Sequence, residues 1–193
     1  QAGDRIVFEE NRAIDVQEEY QLPGRSRWIR VIKVPYRDPH GNVTGLLGMF
    51  EDITDRRLAE EIRSSRLRLT DFSRDHTTEE LLRETLDEVG TLTGSPIGFY
   101  HFLEPDQKTL TLQTWSTRTL KEFCHAEGKG THYPLDEAGV WIDCVRERRP
   151  VIHNDYMALP HRKGLPPGHA HVQRELAVPI FRGNLIVAIL GIG

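Results

Sequence analysis

The stretch EDITDRRLAEE, residues 51–61, ends one periodicity and begins another. Upstream, VTGLLGMFEDI (43–53) has the apolar content of a strand, and from Asp55 onward charged residues dominate a helical repeat. No Gly or Pro separates the two. A sheet is therefore joined to a helix without a flexible linker, and the rest of the chain is organised around that join.

Before it, RWIRVIKVPY (27–36) places Trp28, Ile32, Val34 and Tyr36 on one face of a strand, and DPHGN (38–42) supplies the turn into residues 43–53. IDVQEEYQL (14–22) alternates as a strand, ends at the turn residues Pro23 and Gly24, and follows a short helix within residues 3–13. Three consecutive antiparallel strands are expected. Pro35 has no N–H to give a ladder, so it requires an edge, a bulge or a non-bonded site.

After it, Leu58, Ile62, Ser65, Leu69 and Phe72 recur at alternating steps of four and three, the spacing of a coiled-coil seam. A seam of about two heptads is marginal alone, so pairing with a second copy through Leu58, Ile62, Leu69 and Phe72 is expected. Thr77 and Glu80 form a capping box that opens a helix striped by Leu81, Leu82, Leu86, Val89 and Leu92 and stopped by Gly94. IGFYHFL (97–103) and TLTLQTW (109–115) read as strands joined by EPDQK. DEAGVWIDCVRERR (136–149) reads as a helix stopped by Pro150, and VIHNDY (151–156) as a strand. The segment 157–172 is rich in Pro, Gly and His. The last residues, ELAVPIF (175–181), RGN and LIVAILGIG (185–193), form a hairpin. The fold class is α+β.

The composition excludes several functions. A formal charge of -4, with both signs interspersed over 193 residues, provides no basic field for nucleic acid. The longest apolar run, LIVAILGIG, is too short to span a bilayer, and no charged-then-apolar leader opens the chain. A cytoplasmic location without direct membrane insertion is the expectation. The two cysteines, Cys124 and Cys144, have neither CxxC spacing nor the density of a disulfide scaffold.

The Trp28 strand, the D-P-H-G-N turn and D-I-T-D-R (52–56) resemble the last strands and exit of a PAS domain; the likeness covers residues 1–54 and implies that the earlier half lies outside this chain. GVWIDCVRERRPVIHNDY (139–156) and ELAVPIFRGNLIVAILGIG (175–193) resemble a GAF domain over residues 78–193, without that family's last helix. HNDY followed by LPHRKGLPPGH is similar to GAF domains attached to histidine kinases, cyclic-di-nucleotide enzymes and HD-type phosphohydrolases. Residues 55–77 are then a coiled-coil-like linker helix. The PAS resemblance implies that Asp52, Ile53, Thr54 and Asp55 couple the sheet to the helix. The GAF resemblance implies a ligand pocket near Trp115, Cys124, His132, Trp141, Asp155 and His161, for an unknown small molecule.

Most of the nine histidines lie in the second region, so metal or haem needs weighing. His153, His161, His169 and His171 lack helical H-x-x-x-H register, and the expectation is that they hydrogen-bond backbone or water; no metal site and no cofactor is assigned. Cys144 falls with Val140, Trp141 and Val145 on an apolar helix face, as a small hydrophobe. Cys124-His125 resembles the bilin-holding pair of phytochrome-like GAF domains but sits at another position. Free methionine sulfoxide reductases need more grouped cysteines, and the N-K-x-x-F-x-x-x-D-E pattern of cyclic-nucleotide binders is absent. Asp155, Tyr156, His161, Arg162 and Lys163 show no catalytic order and read as a solvated surface rather than an anion clamp.

These readings converge on a non-catalytic sensory and dimerising region of a bacterial signalling protein, a histidine kinase or a cyclic-di-nucleotide enzyme. The rival is a redox or metal- or haem-dependent GAF protein using Cys124, Cys144 and the loop histidines.

Overall fold

The computed structural model describes residues 2–23, 25–123, 132–162 and 171–193, in two compact units, Gln1–Ser64 and Ser65–Gly193. In the first, helix α1 (Ala2–Glu9) is followed by strands β1 (Ile14–Leu22), β2 (Arg25–Arg37) and β3 (Val43–Asp52), paired antiparallel in that order. Val7, Ile14, Val31 and Ile53 are its buried apolar residues, and Asp4 of α1 pairs with Lys33 of β2. The other face, with Tyr36, Leu47 and Met49, stands exposed. Pro35 occupies a position that needs no N–H on one side: β1 stops opposite Lys33, so only β3 flanks the strand there, and a bulge follows at Tyr36/Arg37. In the turn, Asp38 Oδ1 accepts the N–H groups of His40 and Asn42 at 2.9 Å, and Gly41 takes φ 88°.

Helix α2 (Thr54–Phe72) begins after a single residue, Ile53. Its residues from Ser65 onward belong to the second unit, where Ser65 is buried and its hydroxyl donates to Glu88 at 2.7 Å. Arg68 grips both oxygens of Glu88 at 2.7 Å and holds that carboxyl below its ordinary range. Glu88 lies on α3 (Thr78–Thr93), which opens with the expected Thr77/Glu80 capping box and closes on Gly94 at φ 70°.

The six-stranded antiparallel sheet of this unit comprises β4 (Gly98–Leu103), β5 (Thr109–Trp115), β6 (His132–Pro134), β7 (Val151–His153), β8 (Glu175–Arg182) and β9 (Leu185–Ile192), in the order β6-β5-β4-β9-β8-β7. Leu86 of α3 packs on one face with Tyr100 and Ala188. On the other, Leu110, Ile142, Cys144, Ile186 and Ile189 form a core beneath the short helix α4 (Asp143–Glu147). The α+β class is thus observed, with one correction. The helix expected over 136–149 is α-helical only at 143–147, preceded by 3-10 turns at 135–137 and 140–142, because Ala138 and Gly139 are extended between them. Strand β6 was not anticipated. Among the described residues no helix is long and apolar enough to cross a membrane.

Candidate functional site

The exit of the first sheet is tied at four points. Ile53 is buried, and its N–H donates to the Trp28 carbonyl at 2.9 Å. The Trp28 N–H donates to the Thr54 hydroxyl at 2.9 Å, the Thr54 N–H donates to Asp52 Oδ1 at 3.0 Å, and the Arg57 guanidinium lies 3.7 Å from the centre of the Trp28 ring. Asp52 also meets Arg27 at 3.4 Å. Asp55 is exposed in the first turn, where an acidic side chain complements the helix dipole. The first turn of α2 is therefore fastened to β2 by backbone and side chain together. Along α2, Leu58 is 45% exposed, whereas Ile62, Leu69 and Phe72 are half-buried; Phe72 stacks on His76 at 3.5 Å.

In the second unit the face opposite α3 carries an aromatic group. Phe99 meets Trp115 edge-on at 6.1 Å and Trp141 at 5.3 Å, and His101 lies 4.5 Å from Trp141. The Phe99 ring lies over β9 at its pair residue Gly191, where a Cβ would stand 1.9 Å from the ring. Burial keeps His101 neutral, pushing its pKa down to about 3. Burial, reinforced by Asp143 and Glu175, pushes the Cys144 thiol up to about 12, so it remains a thiol at neutral pH.

Beside this group four polar side chains converge. His161 Nε2 lies 2.7 Å from Asp143 Oδ2; His153 Nε2 lies 3.6 Å from the same oxygen, and His153 Nδ1 lies 2.8 Å from Glu175 Oε1. Asp143 and Glu175 are both buried, and Arg146 donates to Asp143 Oδ1 at 3.1 Å. Desolvation raises the pKa of Glu175, against the lowering influence of His153. A buried carboxylate needs hydrogen bonds or a charged partner, and here Arg146 and His161 supply them to Asp143 while His153 faces Glu175.

Trp115 and Trp141 of the expected pocket therefore meet, through Phe99, and His161 joins Asp143 nearby. Asp155 does not join them: it is exposed and caps the 3-10 turn 156–158, accepting from the Ala158 N–H at 3.2 Å. His132 lies in β6 with its backbone opposite Thr111, and Cys124 lies outside the described residues. The expectation that His153 and His161 bind backbone or water is corrected, since both face carboxylates. Phe99, His101, Asp143, His153 and Glu175 were missing from the expected site. The alternation of β8 buries Glu175 with Ala177 and Pro179, a signal obscured by the apolar Leu176, Val178 and Ile180 between them. An open groove of about 450 Å³ lies elsewhere, on the α3 side, lined by Leu86, Gly90, Ser116 and Lys121 among others.

Comparison with known proteins places both regions. Residues 75–193 match the GAF domain, and residues 1–58 match the PAS fold. The chain is 36% identical over 162 residues to the methyl sulfide methyltransferase-associated sensor of Methanosarcina acetivorans, covering 80% of this chain and 16% of that protein's length. Among solved structures, the GAF domain of a phosphoenolpyruvate-protein phosphotransferase from Coxiella burnetii superposes with a TM-score of 0.58 at 14% identity, over 70% of this chain and 76% of that one. Free methionine-R-sulfoxide reductase from Neisseria meningitidis does so with a TM-score of 0.51 at 15% identity, over 70% and 74%. At such identities the likeness speaks for the fold alone. Through residues 75–193 this chain belongs to the GAF domain family, with a PAS fold preceding it at residues 1–58.

Proposed function

We propose that this chain is a non-catalytic sensory region of a signalling protein, in which the sheet of the first unit biases the helix that leaves it and the GAF domain takes a small ligand or a redox signal. The relative named as a sensor supports the class. The observation that carries the reading is the exit at Asp52–Arg57, where Ile53, Thr54 and Arg57 all fasten to Trp28. A shift in β2 then moves the first turn of α2 instead of being absorbed by a loop. A ligand changes the output only through unequal affinity for two arrangements. The complete protein is then a sensor kinase or a cyclic-di-nucleotide enzyme located in the cytoplasm, and two copies pair through α2, beginning at the exposed Leu58.

The test has two parts. In Trp28→Ala, amide exchange over residues 55–62 is expected to quicken while that of α3 is unchanged; unchanged exchange in both overturns the coupling. Sedimentation of the chain is expected to show a dimer that Leu58→Glu and Leu69→Glu dissociate, and a monomer in all three cases overturns the pairing.

A further inference from the structure

Asp143, His153 and His161 come from three segments: the start of α4, the end of β7 and the turn beyond Ala158. One ligand-capable atom of each lies within 4.8 Å of the other two. Donors bound to a tetrahedral zinc ion at about 2.0–2.2 Å stand roughly 3.3–3.6 Å apart. The two separations seen here, 2.7 Å from His161 and 3.6 Å from His153 to Asp143 Oδ2, bracket that value. His161, half-exposed, has the freedom to close the difference by a small ring rotation.

A second observation concerns the far side of His153. Its Nδ1 lies 2.8 Å from the buried Glu175, the arrangement by which a carboxylate fixes the tautomer of a metal-binding imidazole. With the Nδ1–H donated to Glu175, the Nε2 lone pair faces Asp143 Oδ2, an oxygen that His161 Nε2 also approaches. Arg146 holds the other oxygen of Asp143 and leaves Oδ2 for this purpose. Two imidazole nitrogens and one carboxylate oxygen form a donor set for zinc or a similar transition ion, not for calcium or magnesium, which take oxygen.

We propose that Asp143, His153 and His161 bind one divalent transition-metal ion, with Glu175 positioning His153 and at least one coordination position left open to a small ligand. Three protein ligands leave such a position in a four-coordinate site. The half-exposed His161 puts it within reach of solvent. The ion would tie the 159–162 turn to α4 and β7. The site goes beyond the signalling reading and does not require it, since an ion can bind here whether or not α2 responds to its sheet.

Equilibrium dialysis of the chelator-treated chain against zinc tests this, alongside His161→Ala, Glu175→Gln and, as a control, His40→Ala in the exposed turn of the first unit. One zinc per chain is expected. His161→Ala weakens it at least 10-fold, Glu175→Gln roughly 10-fold, and His40→Ala leaves it unchanged. His161 is half-exposed, so its variant is expected to retain the fold, which circular dichroism checks. No stoichiometric zinc, or uptake undiminished in His161→Ala, overturns the site. Because the readout is zinc uptake, a failure here leaves the α2 exchange and sedimentation results standing, and the reverse also holds.

Discussion

The two sheets of this chain are finished differently. The three strands of the first unit are covered by α1 on one face, while Tyr36, Leu47 and Met49 stand 67%, 67% and 58% exposed on the other. The six strands of the second are covered on both faces, by α3 and by α4 with its turns. In the first unit the specific interactions concentrate where the sheet is left, at Trp28 and Thr54. In the second they concentrate on the covered face, where buried polar groups meet. The sheet with one open face fastens its exit through a single neighbouring strand, β2, whereas the sheet closed on both sides makes its site from three separate segments of chain.

The most forceful way to break that contrast is to cut the same amount of side chain from each unit. Ile142 is fully buried, and Ile142→Ala should cost about 2–5 kcal/mol in urea unfolding of the second unit. Leu47→Ala, on the open face, should fall within about 0.5 kcal/mol. A comparable loss for Leu47→Ala would mean that this face is covered in solution, and the contrast would fail.

Proton linkage sharpens the contrast at intermediate size. His101 has a folded pKa near 3, below its ordinary 6.5, so the unfolded chain takes up the proton first. The stability owed to the neutral ring is complete above about pH 6.5 and is lost as pH falls toward 3. At one proton and 1.36 kcal/mol per pH unit, the loss between pH 7.5 and 5 is about 2 kcal/mol. Unfolding midpoints of the second unit across that range should fall, and His101→Leu should flatten the dependence. An equal slope in both proteins would assign the effect to another group.

How much of this was legible follows from the range of each interaction. The first three strands, the 38–42 turn, the capping box and the last hairpin are written in neighbouring residues, and all were read. The abrupt exit at residues 52–55 was read as well, because the missing linker is itself a local fact. The partner of that exit was not: Trp28 reaches Thr54 only through the pairing of Ile29 with Asp52. The site of the second unit shows the same limit more strongly. His153 meets Glu175 across the β7–β8 ladder and His161 meets Asp143 of α4 from beyond β7, so histidines that lacked any ligand spacing in sequence come together in space. Asp155, conspicuous in sequence, satisfies a local turn instead.

The smallest effect sharpens the comparison most closely, because it isolates a single hydroxyl. Thr54 accepts the Trp28 N–H, and its removal in Thr54→Ala leaves that donor half-buried without its partner, at a cost of about 0.5–1.5 kcal/mol. Thr54→Ser keeps the oxygen and should recover most of the loss, which a change in helix propensity alone would not do. The amide of Trp28 should exchange faster in the Ala variant and near the native rate in the Ser variant, with the Ser65–Glu88 region unaffected in both. If Ala and Ser behave alike, the hydroxyl is not what fastens α2 to β2, and the exit is held by the Ile53 and Thr54 N–H bonds and the Arg57–Trp28 contact.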